Sequence, residues 1–138
     1  TESEAIRQML RTRLLATPGR TEGVAIEGWG FTPTIGVAYT EEWFKPSNAR
    51  TMSLGPNPLR SAFGQYLVNV YTPVGMGNGE ADRLVDAIML QFRVGEGTEI
   101  LDGVTLCRGE PERGPPQRSQ DWRMVPVTIP WHTAPQST

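Results

Sequence analysis

Ser61–Phe92 reads SAFGQYLVNVYTPVGMGNGEADRLVDAIMLQF. Its first half alternates: Tyr66, Val68 and Val70 fall on one face, and Phe63, Gln65, Leu67, Asn69 and Tyr71 on the other, as a β-strand requires. Bulky groups on both faces predict a strand interior to its sheet. The second half changes period. Ala81, Leu84, Val85, Ile88, Met89 and Phe92 recur every three or four residues, the stripe of an amphipathic helix from Gly79 to about Arg93. Asn78 suits the N-cap, Glu80 and Asp82 suit the positive end of the helix dipole, and Gly95 supplies the stop. Between strand and helix lie Gly75, Gly77 and Gly79, which raises the question of a phosphate-binding loop.

The spacing argues for a turn. A dinucleotide fingerprint is G-x-G-x-x-G, whereas in GMGNGE the third glycine comes one residue early. Such a loop also belongs to a βαβ unit with parallel strands, and the order here is strands, one helix, then strands. A P-loop needs Gly-Lys-Ser/Thr, but the only lysine, Lys45, precedes Pro46. Glu80 and Asp82 would also repel a phosphate at the helix N-terminus. A small ligand- or nucleotide-binding domain using Gly75–Gly79 is therefore the lesser alternative.

Outward from this segment, TESEAIRQMLRTRLLATPG predicts an N-terminal helix. Thr1 and Glu4 have capping-box spacing, Ile6, Met9, Leu10 and Leu14 form one stripe, and Pro18–Gly19 end it. A short strand is expected near Val24–Glu27, a turn over Gly28–Gly36, and a second strand over Val37–Phe44. In the latter Val37, Tyr39, Glu41 and Trp43 oppose Ala38, Thr40, Glu42 and Phe44. Neither face is purely apolar, so one should be only partly covered within a subunit.

Lys45–Arg60 has three prolines and no period, and reads as a long loop. It carries Met52, Leu54 and Leu59, which a purely solvated loop would not need. Asp102-Gly103 marks a hairpin. Gly109–Asp121 reads as a second long polar loop, and WRMVPVTIPW as a closing strand, with Val125, Val127 and Ile129 on one face. Pro126 lacks an N–H, which points to an edge position or a local irregularity. The organisation is one α+β domain over residues 1–132, a mixed, mostly antiparallel sheet packed by two helices, with a flexible tail over 133–138.

Composition narrows the function. The 138 residues suit one domain, and the net charge of −2 gives no general attraction to nucleic acid or anionic lipid. Basic residues are nearly all arginine, a bias toward fixed bidentate contacts at protein interfaces. One cysteine and one histidine cannot build a Cys/His zinc site or an internal disulfide. No apolar run approaches the ~20 residues that span a bilayer. A soluble protein of a reducing cytoplasm is expected.

No catalytic constellation emerges. His132 lies beside Trp131 without a serine or carboxylate motif and reads as exposed or half-packed. Cys107 falls in a strand and reads as a buried small hydrophobe. Glu80, Asp82, Asp86, Glu96, Glu99 and Asp102 read as a solvated acidic face, and no calcium-loop spacing joins them. Arg108, Arg113, Arg118 and Arg123 alternate with Glu110, Glu112 and Asp121, too balanced for a nucleic-acid stripe. Trp29, Trp43, Trp122 and Trp131 read as core or interface plugs.

Several pieces together carry a resemblance. They are the helix EAIRQMLRTRLLA, the turn GFTP, the strand entering WFKPS, the Gly/Pro-rich loop, the block from Tyr71 to Phe92, and the short strand VTL. Over roughly Glu2 to Pro130 this layout resembles the tail terminator family of long-tailed bacteriophages. The resemblance implies a structural virion protein, not an enzyme, with no cofactor. It would form a homohexameric ring on the head-proximal end of the tail tube, stop tube polymerisation, and offer a docking surface to the head–tail connector. Its partners would be copies of itself, the tail tube protein and a neck protein. DNA would pass through the lumen without specific binding, and no membrane would be involved. Candidate interface residues are Met52, Leu54, Leu59, Arg60, Met76, Arg113 and Arg118. The nearest alternative is another neck protein, a connector or stopper ring.

Overall fold

The longest ladder joins two strands far apart in sequence. Phe63–Pro73 (β5) runs antiparallel to Trp122–Thr133 (β10) through eleven paired residues, from Trp122 opposite Pro73 to His132 opposite Phe63. The computed structural model describes residues 2–17, 23–25, 38–47, 50–51, 59–76, 78–93, 99–119, 121–134 and 136–137. Around the central pair the sheet adds Gly23–Ala25 (β1) and Tyr39–Pro46 (β2) on one side, and Glu99–Leu101 (β6) and Val104–Arg108 (β7) on the other. The order is β1-β2-β5-β10-β7-β6, antiparallel except for β1 with β2. This is the expected mixed, mostly antiparallel sheet, with β5 interior.

Two helices cover one face. The first, α1 (Glu2–Leu15), buries Ala5, Ile6, Met9, Leu10 and Leu14, its predicted stripe among them. The second, α2 (Asn78–Gln91), buries Ala81, Val85 and Ile88, and Phe92 follows at its end. These meet Tyr66, Val68 and Val70 of β5, Val125, Val127 and Ile129 of β10, and Val104 and Leu106 of β7. Burying such side chains contributes roughly 1.5–3 kcal/mol each, so this layer holds the fold. Asp102 and Gly103 both take positive φ, 52° and 78°, and close the two-residue hairpin between β6 and β7, the turn that Asp-Gly favours.

Three expectations are corrected. Lys45–Arg60 is not all loop: Lys45 and Pro46 end β2, and Arg50–Thr51 (β3) pairs with Leu59–Ser61 (β4) in a second small sheet. Beyond His132, Thr133 completes β10 and Gln136–Ser137 form a short strand. Thr133 is buried and its hydroxyl accepts from the Ala62 N–H at 2.9 Å, while Gln136–Ser137 (β11) pair with β4.

The segment 109–121 also does more than loop. Glu112–Arg113 (β8) and Gln117–Arg118 (β9) lie along β10, opposite Thr128–Val127 and Met124–Arg123. Finally, β10 is interior rather than at an edge. Its two prolines fall at breaks between β7, β8 and β9, where no partner needs their missing N–H. Gly109 donates to the Pro130 carbonyl and Gly114 to the Pro126 carbonyl, each at 2.8 Å. Between successive paired segments the outer strand takes four steps to β10's three, two bulges that absorb the irregularity Pro126 announces.

The glycine segment after β5 is a turn. Val74–Met76 form one 3-10 turn leading into α2. A side chain at Gly75 or Gly79 would meet no protein atom within 4 Å, so neither glycine is required by packing. The strand that follows α2, β6, runs antiparallel to β5, not parallel as a βαβ unit demands.

Candidate functional site: the open face of the sheet

Among the described residues no helix covers the opposite sheet face, whose side chains are mostly half-buried. Tyr39, Glu41 and Trp43 of β2, Leu67, Asn69 and Tyr71 of β5, and Trp122 and Met124 of β10 all point to it. The burial of β2 alternates accordingly. Thr40, Glu42 and Phe44 are buried on the helix-covered side, whereas Tyr39 and Glu41 are intermediate and Trp43 is 37% exposed. The half-covered face read from the alternation is this one.

Register builds the site. Tyr39 lies opposite Tyr71, and their rings stack with centroids 4.6 Å apart and 5° between planes. Trp122 meets Tyr39 edge-on at 5.1 Å. Glu41, opposite Asn69, has Oε1 accepting from Trp43 Nε1 at 2.8 Å, Asn69 Nδ2 at 3.1 Å and the Tyr71 hydroxyl at 3.3 Å. Cross-strand and diagonal neighbours of an antiparallel pair interact in this way. Burial, and then the Glu41 charge, push the Tyr71 hydroxyl up to about 12. The same two causes raise Tyr39.

The helix-covered side is fixed by charge. Glu42 is buried, with Arg11 Nε donating to Oε1 at 2.7 Å and the Tyr66 hydroxyl donating to Oε2. Burial and then Glu42 raise the Tyr66 hydroxyl well above the usual tyrosine range. Arg7 lies over the Phe44 ring at 5.1 Å. At the other end of α1, Arg13 donates to Glu99 and to the Gln91 carbonyl, both at 2.8 Å, and Arg108 adds a contact to Glu99 at 3.3 Å. These pairs lock α1 to β2, to β6 and to the end of α2.

The candidate residues fall in different places. Met52 and Leu54 lie outside the described residues. Leu59 and Arg60 are on β4 of the second sheet, and Met76 ends the 3-10 turn. Arg113 is engaged within the subunit, 2.5 Å from Asp82 and 3.8 Å from Asp86. Its hydrogen bond holds the Asp82 carboxyl below the usual range. Arg118 is exposed on β9, opposite Arg123.

Asp82 and Glu99 are thus paired, which corrects the reading of a wholly solvated acidic face. Cys107 is half-buried on the open face rather than in the core, because β7 places it with His132. His132 is exposed and Trp131 is core, while Trp43 and Trp122 serve the open face.

A cleft of about 720 Å³ opens at the end of the sheet, lined by Lys45, Ser47, Ser61, Gly64 and His132 among others. Among the described residues no carboxylate lines it. Among the described residues no three His, Cys, Asp or Glu side chains are grouped to hold a metal ion. No described helix is long and apolar enough to cross a membrane.

The sequence concealed Glu41's role because its three donors come from two strands whose register no local pattern states. The available signal was an acid set between Tyr39 and Trp43 on an alternating strand.

Comparison with known proteins places the chain. The model of a family described as phage tail terminator protein matches residues 5–131. No curated protein matches. A solved structure whose name states no function has the same fold, with a TM-score of 0.76 at 20% identity over 95% of this chain and 94% of that one.

Proposed function

The chain belongs to the phage tail terminator family, and on that premise we propose that it forms a ring that caps the tail tube. It is a structural component of a phage tail. The ring is a homohexamer seated on the head-proximal end of the tube. It stops addition of tube subunits and presents its far side to the head–tail connector.

The family match over residues 5–131 carries this reading, and the fold suits it. A closed ring of identical subunits repeats one heterologous contact, so each subunit needs two different docking patches. The open face, with Trp43 exposed and a Tyr39–Tyr71–Trp122 cluster, is one such surface. Met52, Leu54, Leu59, Arg60 and Met76 supply contacts to a neighbour or to the tube end, and Arg113 and Arg118 flank a second edge. A stable contact of this kind generally buries more than ~1,000 Å². DNA passes through the lumen without being gripped, in keeping with a net charge of −2.

The test is the particle itself. Light scattering of the purified chain mixed with tail tubes, paired with negative-stain images, should give six-fold rings at one tube end. Tubes without rings at either end, at saturating protein, would reject the reading.

A further inference from the structure

The chain's only lysine and only histidine border one cleft. Lys45 lies two residues after Trp43 on β2, and His132 two after Pro130 on β10, so alternation turns both toward the open face. β5 runs between them, with Gln65 opposite Lys45 and Phe63 opposite His132. Two strand spacings separate β2 from β10 by roughly 10 Å. A group seated over Phe63 and Gln65 is therefore within reach of both side chains. Lys45 brings a positive charge, and His132 brings at least one N–H donor in either protonation state.

Acids are missing from this place. The chain has 15 Asp and Glu against 13 Lys and Arg, yet among the described residues none of those acids lines the cleft. Lys45 and His132 are exposed, and neither makes an ion pair with a described residue. A buried donor at the same place also lacks an acceptor. Trp131 is 3% exposed, and its Nε1 has no hydrogen-bond partner among the described residues. A Cβ on Gly64 would lie 2.8 Å from Trp131 Cζ2. Nε1 and Cζ2 are bonded to the same ring carbon, so the indole edge that carries the N–H borders Gly64, another lining residue. Buried donors are rarely left unpaired, and leaving one so is costly.

We propose that this cleft binds an acidic, extended segment of another protein, with a carboxylate held over Phe63 between Lys45 and His132. Charge complementarity selects the acid. The volume of about 720 Å³ exceeds what a free ion fills and falls in the range of clefts that enclose several linked groups. Phe63, Pro46 and Pro130 wall the methylene stem of the acidic side chain, and oxygens of the segment supply the acceptor that Trp131 lacks. The inference goes beyond ring capping and stands without it.

The test titrates the full chain with hexaglutamate, with hexaglutamine, and with sodium acetate and inorganic phosphate at matched ionic strength. Binding is read by calorimetry and by the Trp131 indole N–H resonance, assigned with Trp131→Phe. Lys45→Glu and His132→Gln alter exposed side chains, and circular dichroism melting checks each fold.

Hexaglutamate should bind saturably and shift the Trp131 resonance, and hexaglutamine should do neither. Lys45→Glu should weaken hexaglutamate binding roughly tenfold or more, and His132→Gln should weaken it less. Absence of saturable hexaglutamate binding to the wild type, or undiminished binding to Lys45→Glu, overturns the site. Equal binding of hexaglutamine overturns it too, because backbone rather than acid would then be recognised. Acetate or phosphate binding as tightly as hexaglutamate overturns the peptide, because the cleft would then hold only a small free anion. None of these outcomes touches ring capping, which the images of tube ends test separately.

Discussion

Gly114 donates its N–H to the Pro126 carbonyl at 2.8 Å, and a Cβ on Gly114 would lie 2.7 Å from Pro126 Cγ. Gly109 stands in the same relation to Pro130, with the same two distances. The two pairs explain how an interior strand tolerates two prolines. Each ring occupies the space that the facing glycine leaves empty, and each lost N–H falls where the outer strand bulges.

Replacing either glycine with alanine should therefore destabilise the fold by about 1–3 kcal/mol, since the proline ring must shift by several tenths of an ångström. Gly64→Ala should cost more. Its Cβ would collide with the Lys45 carbonyl oxygen, and backbone cannot turn aside as a ring can. Urea midpoints of the three variants give the ranking.

Removing Arg11 should leave the Glu42 carboxylate buried with only Tyr66 to satisfy it. Breaking a buried pair from one side is costly, and Arg11 is itself a quarter exposed. The expected loss for Arg11→Ala is about 2–3 kcal/mol. Arg11→Ala combined with Glu42→Gln should recover part of it, because no net charge then remains buried. Denaturant unfolding of the single and double variants measures the difference.

Tyr71 links the open face to alkaline pH. Burial and Glu41 push its hydroxyl up to about 12, from the ordinary tyrosine value of 10.0. The neutral phenol is thus favoured by folding. The associated stability is fully present below pH 10 and is lost as pH rises through about 12. Glu41→Gln removes one of the causes, so the Tyr71 transition should move down toward 10. Phenolate absorbance near 295 nm, with Tyr71→Phe to assign the transition, reads the shift. An unmoved transition would mean that burial and Tyr39, not Glu41, set it.

Met52 and Leu54 are apolar in a segment rich in proline and polar residues. Aspartate at both positions should leave a monomer with the wild-type melting temperature that no longer caps tubes. Normal tail lengths in a complementation assay would remove these residues from the interface.

The elements legible in the sequence were those set by a local period. The stripe of α2, the alternation of β5 and the Asp102-Gly103 hairpin each state their geometry within a few residues. What stayed hidden depends on distant partners. Glu112–Arg113 and Gln117–Arg118 have no strand pattern of their own and pair only with the side of β10 that Pro126 and Pro130 interrupt. Glu41 acquires its role only when β2 and β5 fall into register. The buried Glu42 likewise looks like an ordinary surface acid until Arg11 of α1 is folded onto it.

Tail length tests the central claim most directly. In the phage that carries this gene, electron micrographs of tails made without the protein should show tubes of irregular, extended length with no attached heads. Supplying the wild-type chain in trans should restore one uniform length and head attachment. Tails of normal, uniform length in the absence of the protein would contradict the account.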